Sequence, residues 1–366
     1  MKLKRLTLEN FKGFEALELE FHPRLTVLVG ANGSGKTSIL EALVSMLSMV
    51  SWQPNQTPWH AHGERLGAEF YRLAVEFQHG ERPHLYAFDS KPPDQDEREV
   101  DSLPSDFPAV PPLCAYSVHR EVGRPFDASS RRLRPLPRSM RGIDLGDRII
   151  ELGRSTPVDI ASQWLTGSDF WQFFEWFLAQ EDIENERRLD ESSYRNPQLE
   201  ATRSAIERLM PGYSALRVRR TRSEGGPSLT LKKHGQELDF NQLSEGERNL
   251  CALVGDIARR TTLADSDPSA QSHEGIVLID EIDLHLHPRW QANVLPSLLR
   301  TFPELQFVVT THSPIVLSYV DTECVRLLEG FRLVDAPPTS GRDPNSVLWE
   351  VFGVPLHPPE KKIARL

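Results

Sequence analysis

At 366 residues the chain is long enough for two domains, or for one large α/β domain carrying an insertion. Its formal net charge of −10 and sequence pI near 5.7 exclude a protein that is basic all over and coats nucleic acid; a local basic groove is the form such binding would take. Cys114, Cys251 and Cys324 lack the spacing of a zinc site or a disulfide framework, and no apolar run approaches the roughly 18–20 residues that span a membrane. The expectation is a soluble cytoplasmic protein with buried thiols and no membrane partner.

The start, MKLKRLTLENF, lacks the apolar core of a signal peptide. Residues 3–8 and 15–21 alternate apolar and polar side chains and read as two strands joined by a turn over Glu9–Gly13. Leu25–Val29 is an apolar strand that runs into Gly30-Ala-Asn-Gly-Ser-Gly-Lys-Thr-Ser38, and an apolar stripe follows at Ile39, Leu40, Leu43, Leu47 and Val50. Strand, glycine-rich turn and helix are the setting of a phosphate-binding loop, the Walker A motif. Gly30, Gly33 and Gly35 let backbone N–H groups turn toward phosphate oxygens, Lys36 reaches the β- and γ-phosphates, and the Thr37 hydroxyl ligates Mg²⁺. Asn32, Ser34 and Ser38 complete the nucleotide-binding set, and the helix directs its positive end at the anion.

Residues 69–88 alternate around His79-Gly-Glu and predict a hairpin. Six prolines and seven acids between Asp89 and Pro112 predict an exposed loop. A short strand near Leu113–Val118 precedes an arginine-dense stretch. Residues 156–211 read as helical, with an aromatic cluster from Trp164 to Phe177, a charged helix over Asp182–Asp190 and another over Pro197–Met210. These are too short and interrupted for a long coiled coil. Leu216–Val218 and Ser228–Lys232 return to strand character, and from Phe240 to about Val334 helices and strands alternate.

Three motifs in that last part carry chemistry. Gly275–Ile279 is an apolar strand ending in Asp280 and Glu281, the Walker B pattern: Asp280 to hold Mg²⁺ through water, Glu281 to orient or deprotonate the attacking water. Leu243-Ser-Glu-Gly-Glu-Arg248 opens a helix whose Ser244 and Glu247 form a capping box. Gly246 in its first turn costs helix stability but admits another molecule close to the exposed N–H groups. Phe307-Val-Val-Thr-Thr-His312-Ser-Pro is a strand ending in a histidine that can touch a γ-phosphate.

This order of motifs resembles the ABC-type ATPase heads of the SMC and RecF class. The resemblance implies an α/β ABC-type head, with an N-terminal antiparallel β part and a short helical insertion, that binds ATP and Mg²⁺ and hydrolyses ATP slowly. It implies a homodimer with two ATP molecules between its heads, in which Ser244 and Gly246 act in trans, Glu281 is the general base and His312 the switch histidine. Asn10, Lys12 and Gly13 match the family's segment beside the nucleotide, and the glutamine loop is placed near Tyr116–Arg120. Asp283-Leu-His-Leu-His-Pro288 with Arg289-Trp-Gln291, Phe173–Trp176 with Glu181–Asn185, and Val347–Val354 are similar to the bacterial defence subset, the Septu-type PtuA and retron-associated ATPases.

The expected division is an N-terminal lobe over 1–150, a helical insertion over 151–212 and a C-terminal lobe over 213–366. The expected partners are a second copy through ATP, a higher oligomer, and an effector nuclease or toxin. Arg131, Arg132, Arg134, Arg138 and Arg141, with Arg217, Arg219, Arg220 and Arg222, suggest a DNA-facing surface, since guanidinium forks suit phosphate backbones. His285 and His287 are read as loop or interface residues rather than a metal pair. The alternatives are a RecF-like repair ATPase and a weakly hydrolysing scaffold that holds an effector inactive.

Overall fold

A computed structural model describes residues 1–50, 63, 65–79, 82–90, 113–118, 170–220, 227–263 and 274–354. The first strands, β1 (Lys2–Phe11) and β2 (Phe14–Glu20), pair antiparallel with Leu6 opposite Leu19 and Phe11 opposite Phe14. The strand therefore runs further than the alternation predicts, and Lys12–Gly13 is the whole turn. β4 (Arg72–His79) and β5 (Arg82–Asp89) form the expected hairpin, and β4 also pairs with β1, giving one antiparallel sheet of order β2-β1-β4-β5.

The second sheet holds the chemistry. β3 (Leu25–Gly30), β6 (Leu113–Tyr116), β10 (Gly275–Ile279), β11 (Leu305–Thr310), β12 (Val325–Glu329) and β13 (Arg332–Val334) assemble in the order β13-β12-β3-β11-β10-β6, parallel except at the β13 edge. Alternate residues of each strand enter opposite cores. Val27, Val29, Val277, Ile279, Phe307 and Val309 join one hydrophobic cluster, whereas Leu28, Ile276, Leu278 and Val308 join the other. A parallel sheet covered on both faces explains the uninterrupted apolar runs. It also brings the carboxyl ends of β3, β10 and β11 to one edge, where ligands of open α/β sheets bind.

One core contains the antiparallel sheet and α1 (Lys36–Val50), whose Ile39, Leu40, Ala42, Leu43, Val44, Met46 and Leu47 are all buried. The predicted single stripe is too narrow for this helix, because α1 packs against both sheets. The other core contains α2 (Phe170–Asp190), α3 (Pro197–Leu209), α4 (Glu245–Leu263) and a third sheet of β7 (Tyr213–Arg219), β8 (Ser228–Lys233) and β9 (Gln236–Asp239). The aromatic run and the charged helix are one element: within α2, Phe173, Phe174, Trp176 and Phe177 are core, and two turns later Glu181 and Glu184 are buried as well. Arg203 of α3 bonds both carboxylates, and Arg220 and the Val218 amide bond Glu181, so the buried charges are compensated.

Short helices α5 (Pro288–Gln291), α6 (Val294–Thr301), α7 (Pro314–Ser318) and α8 (Pro344–Phe352) follow β10 and β11 and close the fold. Among the described residues no helix is long and apolar enough to cross a membrane. Of the loop predicted from Asp89 to Pro112, Asp89 ends β5 instead, while residues 91–112, the arginines from 120 to 141 and the helical reading of 156–169 lie outside the described residues.

Candidate nucleotide site and signature helix

The glycines of the phosphate loop take backbone conformations closed to other residues: Gly30 has φ 151, Gly33 φ 78 and Gly35 φ 103. A Cβ at Gly30 would collide with the Leu328 carbonyl, and one at Gly35 with the Phe14 ring. Asn32 and Gly33 are exposed at the crest, Ser34, Gly35 and Lys36 are buried, and Thr37 and Ser38 open the helix. The Lys36 ammonium donates to the carbonyls of Gly30 at 2.9 Å and Ala31 at 3.1 Å. Burial lowers its pKa, and Asp280, Glu281 and Asp283 oppose that shift. Ser34 Oγ is buried without a hydrogen-bond partner. A cradle of positive-φ glycines, an ammonium with a proton to spare and an orphaned hydroxyl fit a polyphosphate.

The acids of β10 meet this loop. Asp280 is 1% exposed; Thr37 Oγ1 donates to its Oδ2 at 2.9 Å, and Thr310 Oγ1 donates to its Oδ1 at 2.5 Å. The same Thr310 hydroxyl accepts the Glu281 amide at 2.7 Å. Glu281 has φ 47, in the left-handed region that a branched or long side chain seldom occupies, so the turn after β10 is held in a strained form. Asp283 accepts Thr311 Oγ1 at 2.6 Å and the His312 amide at 3.3 Å. Burial, then the nearby Lys36 charge, lowers the His312 pKa. Thr310 and Asp283 stand in quoted motifs but received no individual role there; the parallel pairing of β10 with β11 is what places each of them.

The signature segment lies on the second core. Ser244 and Glu247 make the predicted capping box, with Ser244 N to Glu247 Oε2 at 3.0 Å and Glu247 N to Ser244 Oγ at 3.4 Å. Glu247 further accepts Tyr213 Oη at 2.6 Å and Lys233 Nζ at 2.8 Å, which fixes the helix start to the three-stranded sheet. Gly246 has a different cause from the one predicted. A Cβ there would collide with the carbonyl oxygen of His285, so the close approach comes from the chain's own loop. His285 itself has φ 59. Among the described residues, the hydrogen bonds of Ser244 stay within its own helical turn and none joins it to the phosphate loop.

The chain is similar in sequence to known ATPase families. The profile of the family described as "AAA domain, putative AbiEii toxin, Type IV TA system" matches residues 135–318, and that of "AAA ATPase domain" matches residues 1–107. The chain is 30% identical over 435 positions to the Retron Ec83 probable ATPase of Escherichia coli, which covers 100% of this chain and 79% of that relative. The chain belongs to the AAA ATPase family. It is 24% identical over 320 residues to the Septu protein PtuA of Bacillus thuringiensis, covering 85% of this chain and 72% of that one. The family models and these relatives make it an ATPase. The SMC head domain from Thermotoga maritima aligns with 92% of this chain and 100% of that chain at a TM-score of 0.46 and 18% identity.

Around the candidate site the N-terminal turn is held by several contacts. Asn10 and Lys12 have φ 50 and 51; Lys12 ion-pairs with Glu41 of α1, and Asn10 O accepts the Arg65 amide at 2.9 Å. Gly13 and Gly35 both press on the Phe331 ring, so a Cβ at Gly13 would collide with it. Phe331 has φ 62 and shares a hairpin turn with Gly330 at φ 53. Both central residues have positive φ, as a tight hairpin requires.

The arginine surface changes in character. Arg217 bonds Glu237 at 2.8 and 2.9 Å, and Arg220 bonds Glu181 at 2.6 Å and Asp182 at 2.7 Å, so two of the expected DNA-facing guanidinium groups are engaged with the ATPase's own carboxylates. Arg219 is exposed beside them, and Arg222 and the 131–141 cluster lie outside the described residues. His287 caps α5 through Nδ1, a loop role. His22, Glu323 and Cys324 are the one group of three potential metal ligands found among the described residues. His22 Nδ1 accepts the Arg24 and Leu25 amides at 3.3 and 3.2 Å, which puts the proton on Nε2 and removes the lone pair a metal would need.

Proposed function

We propose that this ATPase is a head that dimerises around ATP, each nucleotide held by the phosphate loop of one subunit and closed by Ser244 of its twin. Opening and closing of the dimer then gate an effector protein, a nuclease or toxin, in anti-phage defence. The observation that carries the reading is a division of tasks. Thr37 and Asp280 meet at 2.9 Å beside Lys36, whereas the exposed Ser244 leads a capped helix start elsewhere in the fold. The positive end of a helix favours an anion, and the exposed Ser244 stands at it.

In this reading Thr37 and Asp280 would hold Mg²⁺, which when bound would supply positive charge beside the triphosphate. Lys36 exchanges its carbonyl partners for phosphate oxygens. Glu281 orients the attacking water, and His312, kept neutral by burial and by Lys36, faces the γ-phosphate. Asn10 and Lys12 border the nucleotide. The lobes are assigned to 1–150 and 213–366, with 151–212 the helical insertion between them. ATP crosslinks two surfaces and hydrolysis removes the crosslink, so the two nucleotide states favour two assemblies.

Glu281→Gln is expected to slow turnover by about 10²-fold or more and to accumulate an ATP-bound dimer on size-exclusion chromatography. Ser244→Arg in that background should keep ATP binding and lose the dimer. Unchanged turnover in the first variant removes Glu281 from its role; lost ATP binding by the monomer in the second contradicts a trans-acting serine.

A further inference from the structure

The loop after β10 and the loop after β11 run side by side, and His312 is anchored to the first of them on both flanks. On its amino side Asp283 accepts Thr311 Oγ1 at 2.6 Å and the His312 amide at 3.3 Å. On its carboxyl side Ser313 Oγ donates to Gln291 Oε1 at 2.8 Å, and Gln291 Nε2 donates to the Leu286 carbonyl at 2.9 Å. Ser313 Oγ also accepts the Val316 amide at 3.1 Å, so its proton is available to Gln291. The orientation of the Gln291 amide is fixed: its oxygen turned toward the Leu286 carbonyl would set two acceptors against each other.

Leu286 follows His285, whose carbonyl fills the space that Gly246 leaves at the start of the signature helix. One continuous path of short contacts therefore runs from His312 through Ser313, Gln291 and Leu286 to Gly246. Gln291 is its middle link and is neutral, so it transmits position rather than charge.

We infer that Gln291 is a positioning residue for ATP turnover, its amide coupling the loop of the switch histidine to the start of the signature helix. The inference rests on the reading of His312 as the group facing the γ-phosphate. It makes a distinction that a merely structural glutamine would not: the effect of Gln291 must pass through His312.

The test is a double-mutant cycle on the full chain with Gln291→Met, His312→Ala and the pair, reading kcat, KM and the affinity for a fluorescent ATP analogue. Gln291→Met is expected to lower kcat roughly tenfold, the scale of a misplaced catalytic group. Affinity and KM should stay within about twofold, and in the His312→Ala background the change should add nothing. Gln291→Glu keeps the acceptor for Ser313 but loses the donor to Leu286, and serves as the near-isosteric variant if Met disturbs folding; its kcat should fall likewise. A normal kcat in both Gln291 variants, with His312→Ala impaired, overturns the coupling and leaves the histidine reading standing. Equal losses in both backgrounds also overturn it, because Gln291 would then act on the fold alone. A normal kcat in His312→Ala removes the histidine reading, and the inference with it.

Discussion

A methyl group added at Gly246 would drive into the His285 carbonyl, and neither partner can yield cheaply, because one is a helix start and the other a residue already at φ 59. Gly246→Ala is therefore expected to separate the signature helix from the loop after β10. ATP affinity should hold, since the phosphate loop is untouched, while turnover falls roughly tenfold; wild-type turnover in a folded Gly246→Ala chain would show the joint to be dispensable. At this scale the strand, glycine turn and helix around Gly30–Ser38 are legible, because their pattern is local: glycines, lysine and threonine at fixed spacing. Gly246 was singled out for the wrong neighbour. Nothing in a linear reading says that His285, 39 positions away, is what comes close. Thr310 and Gln291 stand in quoted motifs, but their partners were not readable for the same reason, as these are chosen by strand pairing and loop packing.

Among elements, the signature helix is pinned through one carboxylate. Burial works against charge on Glu247, but hydrogen bonds from Lys233, Tyr213 and the Ser244 amide outweigh it and hold the carboxyl at about 2, against an ordinary 4.5. A group depressed in the folded state contributes stability that is present above its unfolded value and lost as the pH falls through its folded one. The thermal midpoint should therefore decline as the pH drops from about 4.5 toward about 2, and Glu247→Gln should flatten that decline while lowering the midpoint at neutral pH. Circular-dichroism melts across the window decide it; parallel profiles for the two chains would refute the role. Element types were legible where the pattern was strong, by alternation in β1 and by uninterrupted apolar runs in β3, β10 and β11. The single helix α2 was not, because its aromatic turns and its charged turns look like different environments. Both are buried, the second only because Arg203 and Arg220 come from α3 and from the end of β7 to meet it.

For the whole molecule, the three cysteines report on integrity. Cys114, Cys251 and Cys324 are free and buried, and burial pushes their thiols up to about 11, about 12 and about 11 respectively. A thiol that is neither exposed nor ionised is a poor nucleophile. A disulfide reagent should label the native chain slowly and all three sites at once in denaturant; rapid stoichiometric labelling of the native chain would mean that a core opens readily. The fold class was legible from the alternation of helices and strands with the motif order. The strand order was not: β3 lies between β11 and β12, which begin 280 and 300 residues later, and no local pattern encodes that neighbourhood.

The double-sided sheet has a mechanical corollary. Val27 and Leu28 are adjacent in the chain yet serve separate cores, and the same holds for Val277 with Leu278 and for Val308 with Val309. A sheet stitched into both compartments at every second residue behaves as a bulkhead, not a hinge. Whatever stroke nucleotide turnover produces must be generated in the loops along its rim, leaving the wall itself stiff enough to brace them.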